Sequence, residues 1–207
     1  MPSAWGGEPK CCKSFLALDL AVAVASGMPC LRRFPVSRAG RVLLFAAEDA
    51  LHIVRRRLEG IAAAAGVALA DLDIQVITAP VLRLDLDADR RKLADTVARL
   101  QPRLLILDPF VRLHRIDENA SGEVAPLLAF LRELQRRHGT AVLVVHHARK
   151  GGAVRAGQAL RGSSEFHASC RRRALSVRRA TAISTCAAMA TTSPWRSSTA
   201  RRRRPSR

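Results

Sequence analysis

Gly7-Glu8-Pro9-Lys10-Cys11-Cys12-Lys13-Ser14, followed at once by the apolar run of residues 15–26, decides how the chain is read. The stretch matches a phosphate-binding loop opening a helix, the G-x-x-x-x-G-K-S/T pattern with one position changed. In such a loop successive backbone N–H groups turn inward around a phosphate, and the helix N-terminus adds the positive end of its dipole. Lys13 is placed to reach the β- and γ-phosphates of a nucleotide, and the Ser14 hydroxyl to ligand Mg²⁺. Leu16, Ala17, Leu20, Ala21, Val24 and Ala25 then recur on one face at helical spacing. Cys12 stands where the pattern asks for a second glycine.

Strands and helices alternate behind this loop. Residues 41–47 form a short continuous apolar run, the mark of a strand buried on both faces of a parallel sheet, and they end in Glu48-Asp49. Residues 50–66 read as a helix with a basic face and a Gly66 stop, with Asp49 as its cap. Residues 74–78 are a second strand, 85–100 a helix, and 103–108 a further strand with Asp108 at its carboxyl end. A polar loop over 112–122 leads to a helix over 124–138 and a strand over 140–145 that closes on His146-His147. The alternation predicts an α/β fold, a mostly parallel sheet with helices on both faces. The six residues before Gly7 are too few for an ordinary strand, so the fold is expected to lack most of its first strand.

Ligands of open parallel sheets bind beyond the carboxyl ends of the strands. Three such ends carry chemistry. Asp108 suits the Mg²⁺-side carboxylate of a nucleotide site, the Walker B role. Glu48 suits a general base that orients the attacking water. His146 suits a sensor of the γ-phosphate that passes its state to the loop behind it.

Together these stretches resemble the RecA-like P-loop ATPases, and among them the RepA type of hexameric replicative helicase of plasmids and phages. The resemblance covers about residues 6–168. GEPKCCKS looks like that family's GEPKxGKS loop, LLFAAEDA like its strand ending in the catalytic Glu, and LLILDPF like its Walker B strand. VLVVHHARK and LRGSSEFHA resemble its sensor strand and the segment behind the DNA-facing loop. The resemblance implies an ATP–Mg²⁺ site with Lys13, Ser14, Glu48, Asp108 and His146 in the roles above. It also implies a ring of subunits in which Arg161 completes a neighbour's site. Arg149, Lys150 and Arg155, set among glycines, lie where relatives contact single-stranded DNA, and such a loop binds mainly by salt-dependent electrostatics.

Composition bounds the rest. The formal charge of +18 is unevenly placed: residues 1–170 carry 24 Lys and Arg against 17 acids, whereas the last 37 residues carry 11 Arg and no acid. Five cysteines form no C-x-x-C pair, as expected of free thiols in a reducing cytoplasm. The start has no signal-peptide pattern, and residues 15–26 are too short to span a bilayer and contain Asp19, so the protein is expected to be cytoplasmic, without membrane attachment. The reading is an ATPase domain over 1–168, the motor of a DNA-replication protein, with lesions at Cys12, at the first strand and in the tail. The alternatives are a regulatory or recombination ATPase of the same fold, a remnant without hydrolysis, or a basic nucleic-acid-binding protein that keeps the fold as a scaffold. DNA-stimulated ATP turnover separates the motor from the others.

Residues 169–207 show neither helical nor strand periodicity and read as a disordered basic tail, the product of a frame shift. Back-translating residues 180–188 and starting at the last base of each codon permits Asp-Ser-Asn-Leu-Tyr-Leu-Arg-Arg. Continuing over 189–200 permits Gly-Asp-Asp-Leu-Thr-Leu-Ala-Val-Glu-His-Arg, a turn and then an alternating strand. The gene is expected to hold an open, strand-forming reading in that frame. Stop codons there, or no such pattern, would contradict the frame shift.

Overall fold

The computed structural model describes residues 3–7, 12–116 and 121–147. Five parallel strands carry the fold: β1 (Ser3–Gly7), β2 (Val42–Ala46), β3 (Ile74–Val76), β4 (Leu104–Asp108) and β5 (Ala141–His147). They lie side by side in the order β1-β5-β4-β2-β3. Four helices connect them: α1 (Lys13–Ser26), α2 (Leu51–Ala64), α3 (Asp87–Leu100) and α4 (Ser121–His138).

The period of two along each strand sorts the core into two layers. Val42 and Leu44, Leu104 and Ile106, and Leu143 and Val145 pack under Ala17, Leu18, Ala21 and Val22 of α1 and Val54, Leu58 and Ile61 of α2. The alternate residues Leu43 and Phe45, Leu105 and Leu107, and Val142 and Val144 pack under Leu93 and Val97 of α3 and Leu127 and Leu131 of α4. Strands with both faces covered must be apolar throughout, which is why they read as continuous runs rather than alternations. The chain moves outward from β1 to β2 to β3 with its helices on one face. It returns to β4 and β5 with them on the other, and this keeps one hand for every crossover.

The first strand corrects the sequence expectation. β1 spans five residues, as many as β2 and β4, and pairs with β5 from Ser3↔Leu143 to Gly7↔His147. A parallel strand that only has to reach the loop needs no more length than its neighbours. The same pairing carries β5 past the expected end, so His146 and His147 lie within the strand, opposite Gly6 and Gly7. Helix α4 likewise starts at Ser121 and places Pro126 inside the helix, whereas the expected start at residue 124 set that proline in the first turn.

Asp19, a lone acid in an apolar helix, is buried at 1% exposure on α1. Gly27 closes that helix at φ 78, a left-handed conformation that suits a residue without Cβ. The chain then folds back so that the Asp19 carboxylate accepts from Leu31 N at 2.7 Å, Arg32 Nη2 at 3.0 Å and the Cys30 thiol at 3.3 Å. Leu31 and Arg32 have φ of 50 and 58, conformations that resist a Cβ, so the carboxylate holds a strained turn. Burial, and then the hydrogen bond to Asp19, push the Cys30 thiol up to about 12. Asp19→Ala removes the acceptor of all three hydrogen bonds and leaves Leu31 N–H without its partner. We expect a loss of about 3 kcal/mol in denaturant unfolding, with Cys30 becoming open to alkylation at neutral pH. A loss under about 1 kcal/mol with Cys30 still unreactive would show that the turn holds itself.

Candidate nucleotide site

All five strands point the same way, so their carboxyl ends share one edge of the sheet. Gly7 ends β1, His146 and His147 end β5, Asp108 ends β4, and Glu48 follows β2 by two residues. Neighbouring strands lie about 4.8 Å apart, so the edge from β1 to β2 measures three such steps, about 14 Å. The chain beyond β2 stays zipped to β4, with Ala46 opposite Asp108 and Ala47 N–H donating to the Asp108 carbonyl at 2.8 Å. Helices leave β2 and β4 on opposite faces of the sheet, α2 on one and α4 on the other. That divergence opens the crevice in which folds of this kind bind ligands.

Helix α1 begins at Lys13, with Ser14 next in its first turn. The Cys12 side chain does not cap this end, and no acid lies in the helix's first turn. Its leading N–H groups, a cation and a hydroxyl therefore make a donor set suited to an anion. Cys12 sits at φ 58, ψ 24, with its carbonyl accepting from Leu16 N at 3.0 Å. The backbone thus adopts at Cys12 the left-handed conformation for which glycine is the unstrained residue.

Strand parity puts Asp108 on the α1 side of the sheet, since Leu105 and Leu107 face α3 and α4. Asp108 is largely buried, and its peptide bond to Pro109 is cis. His146 falls on the opposite side. It is buried at 1% exposure with its ring stacked on Phe110, centroids 5.8 Å apart, and Phe110 in turn meets His114 at 4.5 Å. The expected site residues are therefore brought to one edge but not to one face: Lys13, Ser14 and Asp108 lie on the α1 side, His146 against Phe110. Glu8, Pro9, Lys10 and Cys11 of the loop, and Arg149, Lys150, Arg155 and Arg161, lie outside the described residues.

Three contacts escaped the sequence reading. Asp49 does not cap α2, whose N-cap is Ala50 without a side-chain hydrogen bond. It pairs instead with Arg57, whose guanidinium lies 5.2 Å from the Phe15 ring. The turn carrying Glu48 is thereby tied through α2 to the first turn of α1. Arg112, in the 3-10 turn Phe110–Arg112 after β4, places its Nε 3.9 Å from Glu48 Oε1. Phe110 and His114 form the packing under His146. The Arg57–Phe15, Arg112–Glu48 and Phe110–His146 contacts follow no local pattern, because the strand order alone brings those residues together.

The residues present fit a nucleotide with Mg²⁺, with Cys12 as the one poor fit. The donors at the start of α1 match phosphate oxygens, and Ser14 and Asp108 are hard oxygen ligands of the kind Mg²⁺ takes.

Comparison with known proteins agrees with this architecture. A family model described as "AAA domain" matches residues 2–153. Among solved structures, the RadB recombinase is similar at a TM-score of 0.57 and 18% identity, over 82% of this chain and 71% of that one. A DnaB-like replicative helicase is similar at 0.59 and 11%, over 81% of this chain and 45% of that one. The ATPase domain of G40P is similar at 0.59 and 12%, over 81% and 66%. At these identities the structural likeness is one of fold, and the chain spans less than half of the DnaB-like helicase. Among the described residues no helix is long and apolar enough to cross a membrane. The fold is that of the RecA-like P-loop NTPases, and the family match, running over well more than half of the sequence, carries the conclusion: the chain belongs to the AAA domain family.

Proposed function

We propose that the chain is an ATP-binding motor domain of the RepA-type replicative helicases, acting on single-stranded DNA as part of a ring. The observation that carries the nucleotide reading is the shared edge: a helix start with no acid in its first turn, bearing Lys13 and Ser14, with Asp108 on the same side of the sheet and Glu48 just beyond the adjoining strand. Lys13 and the first N–H groups of α1 hold and orient the phosphates. Ser14 and Asp108 would hold Mg²⁺, which supplies charge neutralisation at the phosphate oxygens when bound. Glu48 accepts the proton of the attacking water and orients it in line with the terminal phosphate. The Asp49–Arg57–Phe15 contacts keep the turn carrying that base in register with α1. His146, packed on Phe110, is suited to transmitting the state of the edge through packing into the segment behind β5. The DNA partner and the ring rest on the resemblance to RepA-type helicases and on the basic residues Arg149, Lys150 and Arg155. Arg161 would serve a neighbouring site.

The direct test is phosphate release from ATP–Mg²⁺ with and without single-stranded DNA. The motor reading expects DNA-stimulated release, abolished in Glu48→Gln while nucleotide binding persists. Salt-sensitive DNA binding with no turnover in either protein would support the scaffold reading instead.

Cys12 is expected to weaken the site. A Cβ at a position where the loop must pass close to a phosphate costs on the order of 1–3 kcal/mol on binding, which corresponds to roughly fivefold to more than a hundredfold in affinity. Cys12→Gly should therefore tighten ADP–Mg²⁺ binding in titration calorimetry, and equal affinities would show that the thiol is tolerated. For DNA, Arg149→Ala with Lys150→Ala in a chain ending at residue 170 should weaken single-strand binding and reduce its salt slope. Removing the eleven tail arginines keeps them from masking the effect. Unchanged binding would remove this loop from the mechanism.

A further inference from the structure

The contact between Arg112 and Glu48 spans the crevice between β4 and β2. Arg112 ends the 3-10 turn that follows Asp108, and Glu48 lies just beyond Ala46, the residue opposite Asp108. Arg112 Nε stands 3.9 Å from Glu48 Oε1, with the two side chains 62% and 46% exposed. An ion pair this long and this exposed contributes little to stability, about 0–1 kcal/mol. It is therefore easily exchanged for a stronger partner. A terminal phosphate is such a partner, since a guanidinium can meet two of its oxygens at once and the group carries more charge than a carboxylate.

We propose that Arg112 is a phosphate-responsive switch that pairs with Glu48 when the site is empty and turns to the terminal phosphate of a nucleoside triphosphate. The exchange does two things in one motion. It neutralises charge on the phosphate, and it releases the Glu48 carboxylate from its cation so that it can accept the proton of water. A diphosphate lacks the terminal group and leaves the Arg112–Glu48 pair in place. The geometry favours this over a fixed tether. A tether would be short and buried, as the Asp19–Arg32 contact is on its carboxylate side, whereas Arg112 is the more exposed member of a long pair. Arg112 lies in the same chain as the phosphate-binding helix, so the switch needs no neighbouring subunit.

The inference rests on the nucleotide-site reading, and one experiment separates the two. The affinities of the full chain for ADP–Mg²⁺ and for the Mg²⁺ complex of the non-hydrolysable β,γ-imido analogue of ATP are measured by titration in wild type, Arg112→Ala and Arg112→Lys. The expected result is a roughly tenfold to hundredfold loss for the analogue in Arg112→Ala, with ADP unchanged. Arg112→Lys should recover part of the loss through its charge. Arg112 is exposed, so its removal should not unfold the chain, and Arg112→Gln serves as a second uncharged variant if Arg112→Ala does. Loss of neither affinity, or equal loss of both, overturns the switch while the nucleotide site stands. A wild-type chain that binds neither nucleotide overturns both.

Discussion

Parallel strand direction is the constraint on which everything functional here depends. Five strands running one way bring every βα turn to a single edge, so residues far apart in sequence meet there without any direct attraction between them. Gly7, Glu48, Asp108 and His146 span most of the described chain, yet they sit within about three strand spacings. The apolar runs that bury both faces of the sheet set that direction. The candidate site is thus a by-product of packing, and its positions are held by the two cores.

Opposite that edge, at the amino ends of the strands, the chain solves a different problem. The connection from α1 to β2 bends through two non-glycine residues at positive φ, Leu31 and Arg32, and the buried Asp19 carboxylate gathers three donors to hold it. Cys12, by contrast, sits at positive φ at the start of α1 without a side-chain hydrogen bond at the cap. The same backbone demand is therefore met by an anchor in one place and left as strain in the other, beside the proposed phosphate site.

Much of this was legible in the sequence, for physical reasons that differ by element. β2 and β4 announced themselves because doubly buried strands must be apolar throughout, and α1 because its motif fixes where a helix begins. The carboxylates at strand ends were legible for the same reason: a polar residue ending an apolar run marks where the sheet stops. β1 was misjudged because a short edge strand carries too few residues for a periodic signal, and its partner in β5 is some 140 residues away. Asp49 was read as a helix cap because local rules favour a carboxylate before a helix. The real partner, Arg57, lies on the helix itself and competes successfully for the charge. Arg112 and the Phe110 stack were invisible, since no spacing rule connects the end of one strand with the turn after another.

The central claim is that the first turn of α1 is a phosphate site, and Lys13 is the residue whose removal speaks to it most directly. Equilibrium titration with ADP–Mg²⁺ on the wild-type chain and on Lys13→Ala measures it. Saturable binding in the wild type that Lys13→Ala removes, with the thermal unfolding midpoint unchanged, is the result the account predicts. Binding of equal strength in both proteins, or none in the wild type, would contradict it.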